Sequence, residues 1–194
     1  NLYKLVLLIP LGALLVVLAR NVIGIPTFGT FMPILIALAF RETNLAVGII
    51  LFVVIVAMGL ALRSVLDRMH LLLVPRLASV LILVIMSMAL ISILSHKLGI
   101  PSGLSVAMFP MVILAMTIER MSVVWEESGP GDAIGQGLGS LAVAIVAFGM
   151  LKNDLLEHLF FVFPELVLLV LAACILLGRY TGYRVSELIR FRAA

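Results

Sequence analysis

Marked for apolar and polar positions, the chain breaks into seven apolar stretches separated by short polar turns: residues 2–19, 22–40, 45–62, 77–94, 104–118, 137–151 and 161–177. About 20 apolar residues are needed to carry a helix across the hydrocarbon core of a bilayer. The fifth and sixth stretches fall short of that and are expected to extend into their flanking turns. The connections leave no room for a soluble domain within the chain. The pattern therefore predicts an all-α membrane protein, a seven-helix transmembrane bundle forming one domain over residues 1–194.

Composition sharpens this reading. Of 194 residues, 64% are hydrophobic and 12% charged, where soluble domains run at about half apolar and a quarter charged. A soluble core could not hide so much apolar surface, so the solvent is lipid. The lone Cys174 forms no intrachain disulfide. The chain begins at Asn1, and its first apolar run starts at once without the basic region and cleavage site of a signal peptide. It is read as the membrane part of a longer protein.

Charge placement sets the orientation. Seven spans put Lys4, Arg41, Lys97 and Lys152 on one side. Arg20, Arg63, Arg68, Arg76, Arg120, Arg179, Arg184, Arg190 and Arg192 fall on the other. The arginine-rich side is cytoplasmic by the positive-inside rule. The N-terminal end of the chain is then outside and the C-terminal end inside.

Two stretches interrupt the apolar pattern in the same way. Residues 24–42 read GIPTFGTFMPILIALAFRE, and residues 99–120 read GIPSGLSVAMFPMVILAMTIER. Both open Gly-Ile-Pro, both carry a second proline (Pro33, Pro110) before an apolar helix, and both end near an acid and an arginine. The match suggests two repeats, residues 21–98 and 99–178. Each would hold three spans, and an odd number inverts one copy against the other. The first span is then an addition to the inverted-repeat plan of many transporters.

Proline is tolerated at the start of a helix, where its missing N–H had no partner. Pro33 and Pro110 are therefore read as helix starts, with irregular backbone before each. Irregular backbone survives at membrane depth only when buried in protein or lining water. A helix from Pro33 to Arg41 rises only about 13 Å, so the looser residues before it must cross the rest. With the spans oriented as above, both helix N-termini point at the membrane middle. Each offers unpaired N–H groups and a positive dipole end. Thr27, Thr30, Ser102 and Ser105 add hydroxyls, and Gly29 and Gly103 allow close backbone approach. Together with Pro33 and Pro110 these form a candidate binding site for a carboxylate or other anionic group. A second reading stays open, in which both prolines only kink helices that neighbouring helices repair.

Arg41, Glu42, Glu119 and Arg120 are the charged functional candidates, because ionisable residues within spans are commonly functional. For Glu119 and Arg120 the competing reading is an interfacial pair reaching toward headgroups. Trp125, Tyr180 and Tyr183 suit an interfacial belt. Arg63 and Asp67 stand one helical turn apart and could pair. Gly131, Gly135 and Gly139 form a small-residue stripe suited to close helix approach, with Pro130 and Asp132 in the first turn of that helix. The run GPGDAIGQGLG follows no strand and lacks the Gly-Lys-Ser/Thr of a phosphate loop, so no nucleotide is expected. His96, His158, Asp154 and Glu157 show no tight ligand spacing, and His70 lies on the other side; no metal or other cofactor is expected. No Ser-His-Asp or Cys-His set occupies matched positions, so the chain is read as non-enzymatic. Residues 179–194, with four arginines among apolar residues, read as a cytoplasmic amphipathic tail facing anionic lipid or a partner. Nothing points to nucleic acid.

Four ordered blocks, RNVIGIPTFGTFMPILIALAFRET, LLLVPRLASVLI, GLSVAMFPMVILAMTIERMSVVWEE and LGRYTGYRVSELIRFR, cover most of the chain. They resemble the bacterial seven-transmembrane domain usually fused to an inactive transglutaminase-like domain. The resemblance implies an N-terminal anchor and an extracytoplasmic transglutaminase-like domain ahead of Asn1, in agreement with the orientation read from the arginines. It also implies genomic neighbours: an ATP-grasp ligase resembling glutamate-adding enzymes, and a small aspartic-type protease-like protein. More remotely, the broken spans resemble the small membrane subunit of poly-γ-glutamate capsule synthesis, although here only Gly29 lies between Pro26 and Pro33. Residues and resemblance together lead to an expected function. It is an inner-membrane transport or conduit domain handling a glutamate-containing peptide or similar anionic product with the cytoplasmic ligase. The alternative is a membrane scaffold or signal-coupling domain linking the extracytoplasmic domain to cytoplasmic partners.

Overall fold

The computed structural model describes residues 2–69, 72–97 and 108–179. Among these residues the chain is built from eight α-helices and no strands: α1 (Leu2–Leu18), α2 (Met32–Thr43), α3 (Leu45–Asp67), α4 (Leu73–Lys97), α5 (Met108–Ser128), α6 (Pro130–Leu151), α7 (Asp154–Val162) and α8 (Leu166–Gly178). Large apolar side chains such as Ile50, Val53, Ile82, Met86, Leu168 and Leu171 lie on the outside, as suits a bundle whose solvent is lipid. The chain is an all-α membrane bundle.

The apolar stretches map onto these helices with two departures. The second is split, because residues 24–31 leave the helix between the end of α1 and the start of α2. The seventh is shared by α7 and α8, which bend by 104° around Pro164. Among the described residues three helical segments, Val6–Ile23, Leu45–Leu66 and Pro130–Leu151, are long and apolar enough to cross a membrane, and α7 with α8 makes a fourth if counted as one span. The fifth and sixth helices extend into their polar flanks, α5 as far as Ser128 and α6 back to Pro130. Gly129, at φ 95°, turns the chain between them, and its N–H caps the Trp125 carbonyl at 3.1 Å.

The chain divides into two compact units, Asn1–Ala37 with Gly135–Ala194, and Leu38–Ile134, the division falling within α2 and α6. In the first unit α1 packs along α7 and α8. Lys4 pairs with Glu157 at 3.6 Å and lies 5.2 Å from the centre of the Phe161 ring. Farther along, the Asn21 side-chain amide donates to the Leu177 carbonyl at 3.4 Å. Gly12 leaves just the room that Ile34 fills, since a Cβ there would stand 3.3 Å from Ile34 Cγ1.

In the second unit α3, α4 and α5 pack on one another, α3 and α5 side by side in the same direction, around Ile55, Val80, Val84, Met88, Ile113 and Ile118, all buried. One residue, Asn44, links α2 to α3 at φ 72° and ψ 145°. The link folds α3 back so closely that a Cβ on Gly48 would overlap the Phe40 ring. The Thr43 hydroxyl donates to the Ala39 carbonyl at 3.0 Å, satisfying a polar group that would otherwise be stranded in this turn.

Candidate functional site

The break before α2 is built rather than frayed. The helical ladder of α1 widens into a π-turn over Ala19–Ile23, and both Gly24 and Ile25 donate to the Ala19 carbonyl at 2.9 Å. The backbone then runs irregularly to Met32, the first residue of α2, with Pro33 in its first turn. This is a break and not a proline kink.

What receives the irregular segment is α6. The Phe28 N–H donates to Ser140 Oγ at 2.8 Å, and both residues are buried. At Gly139 a Cβ would overlap the Pro26 carbonyl oxygen and stand 2.9 Å from Ile25 Cγ2. Only glycine admits this approach. Gly131 and Gly135 have open space where a Cβ would go. The expected glycine stripe thus serves one close contact, and the element seated on it is non-helical backbone. Gly139 and Ser140 are the tenth and eleventh residues of the 22 in α6, so the break crosses α6 at mid-height, about 15 Å from either end.

The donors at this break are only partly used. Thr27 is buried and its hydroxyl donates to the Gly29 carbonyl at 2.9 Å, so Thr27 braces the turn. The Ile34 and Leu35 amides both donate to the Phe31 carbonyl at 3.1 Å, opening α2. The N–H groups of Gly29 and Thr30 find no acceptor among the described residues. Such unpaired amides at a helix start favour an anion. Gly29 holds φ 62° with nothing within 4 Å of its Cβ position, and Thr30 is exposed beside it. Gly29 and Thr30 are therefore exposed at the break, with Thr27 and Pro33 buried on either side of them.

The remaining candidates separate. Ser102, Gly103 and Ser105 lie outside the described residues. Pro110 is buried in the first turn of α5, where a helix start was expected. Arg41 and Glu42 are exposed in the last turn of α2. Glu119 and Arg120 are exposed in the middle of α5, which runs unbroken through them. His70 and residues 180–194 of the tail also lie outside the described residues.

A charged cluster that the sequence did not single out joins the C-terminal turns of α3 and α5 to the start of α4. Arg63 is 2% exposed. Its guanidinium donates to the Ser122 carbonyl and to Glu126 Oε1, the latter at 2.5 Å, and stands 5.3 Å from the centre of the Trp125 ring. Arg76 pairs with the same carboxylate oxygen. Trp125, expected in an interfacial belt, thus stacks on a buried cation. Sequence proximity offered Asp67, whose side chain lies outside the described residues, and the fold brings Arg63 to Glu126, 63 residues away.

A membrane bundle with one span broken at mid-height defines a class, and the comparisons with known proteins narrow it. Over residues 1–194 the chain matches the family described as seven transmembrane helices usually fused to an inactive transglutaminase. The chain belongs to that family, and it is a multi-pass membrane domain. No curated protein and no solved structure matches it.

Proposed function

We propose that this domain is a transport or conduit element of the bacterial inner membrane. It would pass a glutamate-containing peptide or similar anionic product made by a cytoplasmic ATP-grasp ligase. The observation that carries the reading is the pair of unspent N–H groups of Gly29 and Thr30, exposed before α2 where the break crosses the mid-height of α6. A carboxylate held there would be met by backbone donors and the positive end of α2. In this reading the N-terminal end lies outside, joined to the transglutaminase-like domain, and the C-terminal end lies in the cytoplasm. The inverted repeat over residues 21–98 and 99–178 belongs to this reading, with Ser102, Gly103 and Ser105 as its second set of candidate residues. The domain itself performs no chemistry.

Proteoliposomes carrying the chain, with and without the ligase, test this by uptake or export of labelled glutamyl peptide. Flux that falls at least tenfold on Thr30→Ala combined with Ser102→Ala is expected. An absence of flux in both preparations overturns the reading.

A second reading has its own observation. The clamp of Phe28 onto Ser140 and of Pro26 onto Gly139 fixes the irregular segment, as suits a scaffold coupling the outer domain to cytoplasmic partners without passage. It expects function to survive Thr30→Ala with Ser102→Ala and to be lost when Gly139 is enlarged.

A further inference from the structure

The outward face of α5 carries two opposite charges where the bundle is apolar. Val112, Met116, Glu119 and Arg120 are all exposed. Spacings of four, three and one residues put them on one stripe of the helix. Neither Glu119 nor Arg120 makes an ion pair or hydrogen bond among the described residues. Glu119 edges a groove of about 310 Å³ between α4 and α5, lined otherwise by apolar side chains including Leu81, Ile85, Val112 and Met116.

Contacts with α3 fix the depth of this pair. Gly59 of α3 faces Ile118, since a Cβ there would stand 2.9 Å from Ile118 Cγ2. The last apolar residue of α3 before Arg63 is Leu62, three residues beyond Gly59, or about 5 Å. Glu119 therefore starts about one helical turn inside the end marked by Arg63 and Ser122. Side chains on a helix lean toward its N-terminus, and α5 begins at the far end from the Arg63 cluster, so Glu119 leans deeper. Charges exposed to hydrocarbon at this depth are costly and normally face protein or water.

We propose that the α4–α5 face docks a second copy of this chain, with Glu119 of each copy paired to Arg120 of the other. Two copies in one membrane share an orientation, so their two-fold axis stands along the membrane normal and equal residues meet at equal depth. A self-complementary face must then carry both signs at one height, and adjacent Glu119 and Arg120 do so. Val112, Met116 and Glu119 follow the four-then-three spacing of a helix seam. In a parallel pair the seam position of Glu119 lies beside the position Arg120 occupies on the facing helix. The groove beside Glu119 leaves space for side chains of the arriving helix.

Single-molecule bleaching of the full chain in vesicles reads the stoichiometry. Two-step bleaching is expected for the wild type. Glu119→Arg, which faces arginine with arginine, is expected to lower the dimer fraction at least tenfold at equal protein-to-lipid ratio. Adding Arg120→Glu is expected to restore it. A monomeric wild type overturns the proposal, as does a Glu119→Arg chain that dimerises like the wild type. If Glu119→Arg fails to insert, crosslinking decides in a Cys174→Ser background. Met116→Cys is expected to form far more crosslinked dimer than Leu168→Cys, which lies on the exposed face of α8. Equal yields overturn the proposal.

Discussion

The broken span at α6 and the charged cluster at the ends of α3, α4 and α5 solve one problem in opposite ways. Each places strongly polar groups inside a bundle where water cannot satisfy them. At the break the polar groups are backbone, and the remedy is neutral: a serine hydroxyl for the Phe28 amide, a threonine hydroxyl for the Gly29 carbonyl, and a missing side chain at Gly139. At the cluster the polar groups are charges, and the remedy is a shared carboxylate, a backbone carbonyl and an aromatic face for Arg63. The first remedy leaves amides over just before α2. The second gathers around one carboxylate and ties three helices together. A site for an anion is therefore to be sought at the neutral break.

The sharpest way to break the comparison is to remove one side of the ionic remedy. Glu126→Ala leaves the buried Arg63 guanidinium and its neighbour Arg76 without their shared carboxylate. A buried pair broken this way costs about 3–5 kcal/mol, the largest loss expected of any substitution discussed here. Denaturant titration in micelles reads it. Replacing both Arg63 by Met and Glu126 by Leu should recover most of that stability, because an apolar filling carries no desolvation penalty. The break offers no such exchange, since its polar groups belong to the chain itself.

That distinction also explains what could be read before the fold was known. The helices were legible because lipid rewards long apolar runs, and Pro33 and Pro110 were legible as helix starts because proline lacks the donor that a helix start does not need. The break was legible from Pro26, Gly29 and Pro33 crowded into one apolar stretch. Its seat on Gly139 and Ser140 was not, because a glycine stripe announces close approach without saying to what. Arg63 and Glu126 lie 63 residues apart, and nothing local marks one as the other's partner. The level of Glu119 and Arg120 along the bundle was not legible for the same reason: it depends on how α5 stands against Gly59 and Arg63, which no single helix reveals.

A middle-sized effect is expected at Gly139. A methyl group added by Gly139→Ala overlaps the Pro26 carbonyl oxygen, and backbone cannot swing aside as a side-chain tip can. Overpacking of this kind costs about 1–3 kcal/mol, and the upper end applies here. The same substitution at Gly135, where a Cβ meets nothing within 4 Å, should cost nothing and gain slightly from helix propensity. Thermal unfolding of the two variants side by side separates a seat for the broken span from a general dislike of side chains on α6.

The smallest expected effect isolates one hydrogen bond. Ser140→Ala keeps the space between α6 and the break and removes only the acceptor for the Phe28 N–H. Because both groups are buried, no water replaces the lost oxygen, and the stranded donor costs about 1–3 kcal/mol. The amide should then exchange its hydrogen faster while those of α3 and α4 keep their rates, because they belong to the other compact unit. Ser140→Cys, with a weak sulfur acceptor in the same place, should fall between alanine and the wild type. If alanine and cysteine behave alike and both match the wild type, the serine is filling space rather than accepting the bond. The break would then be held by the Gly139 contact alone.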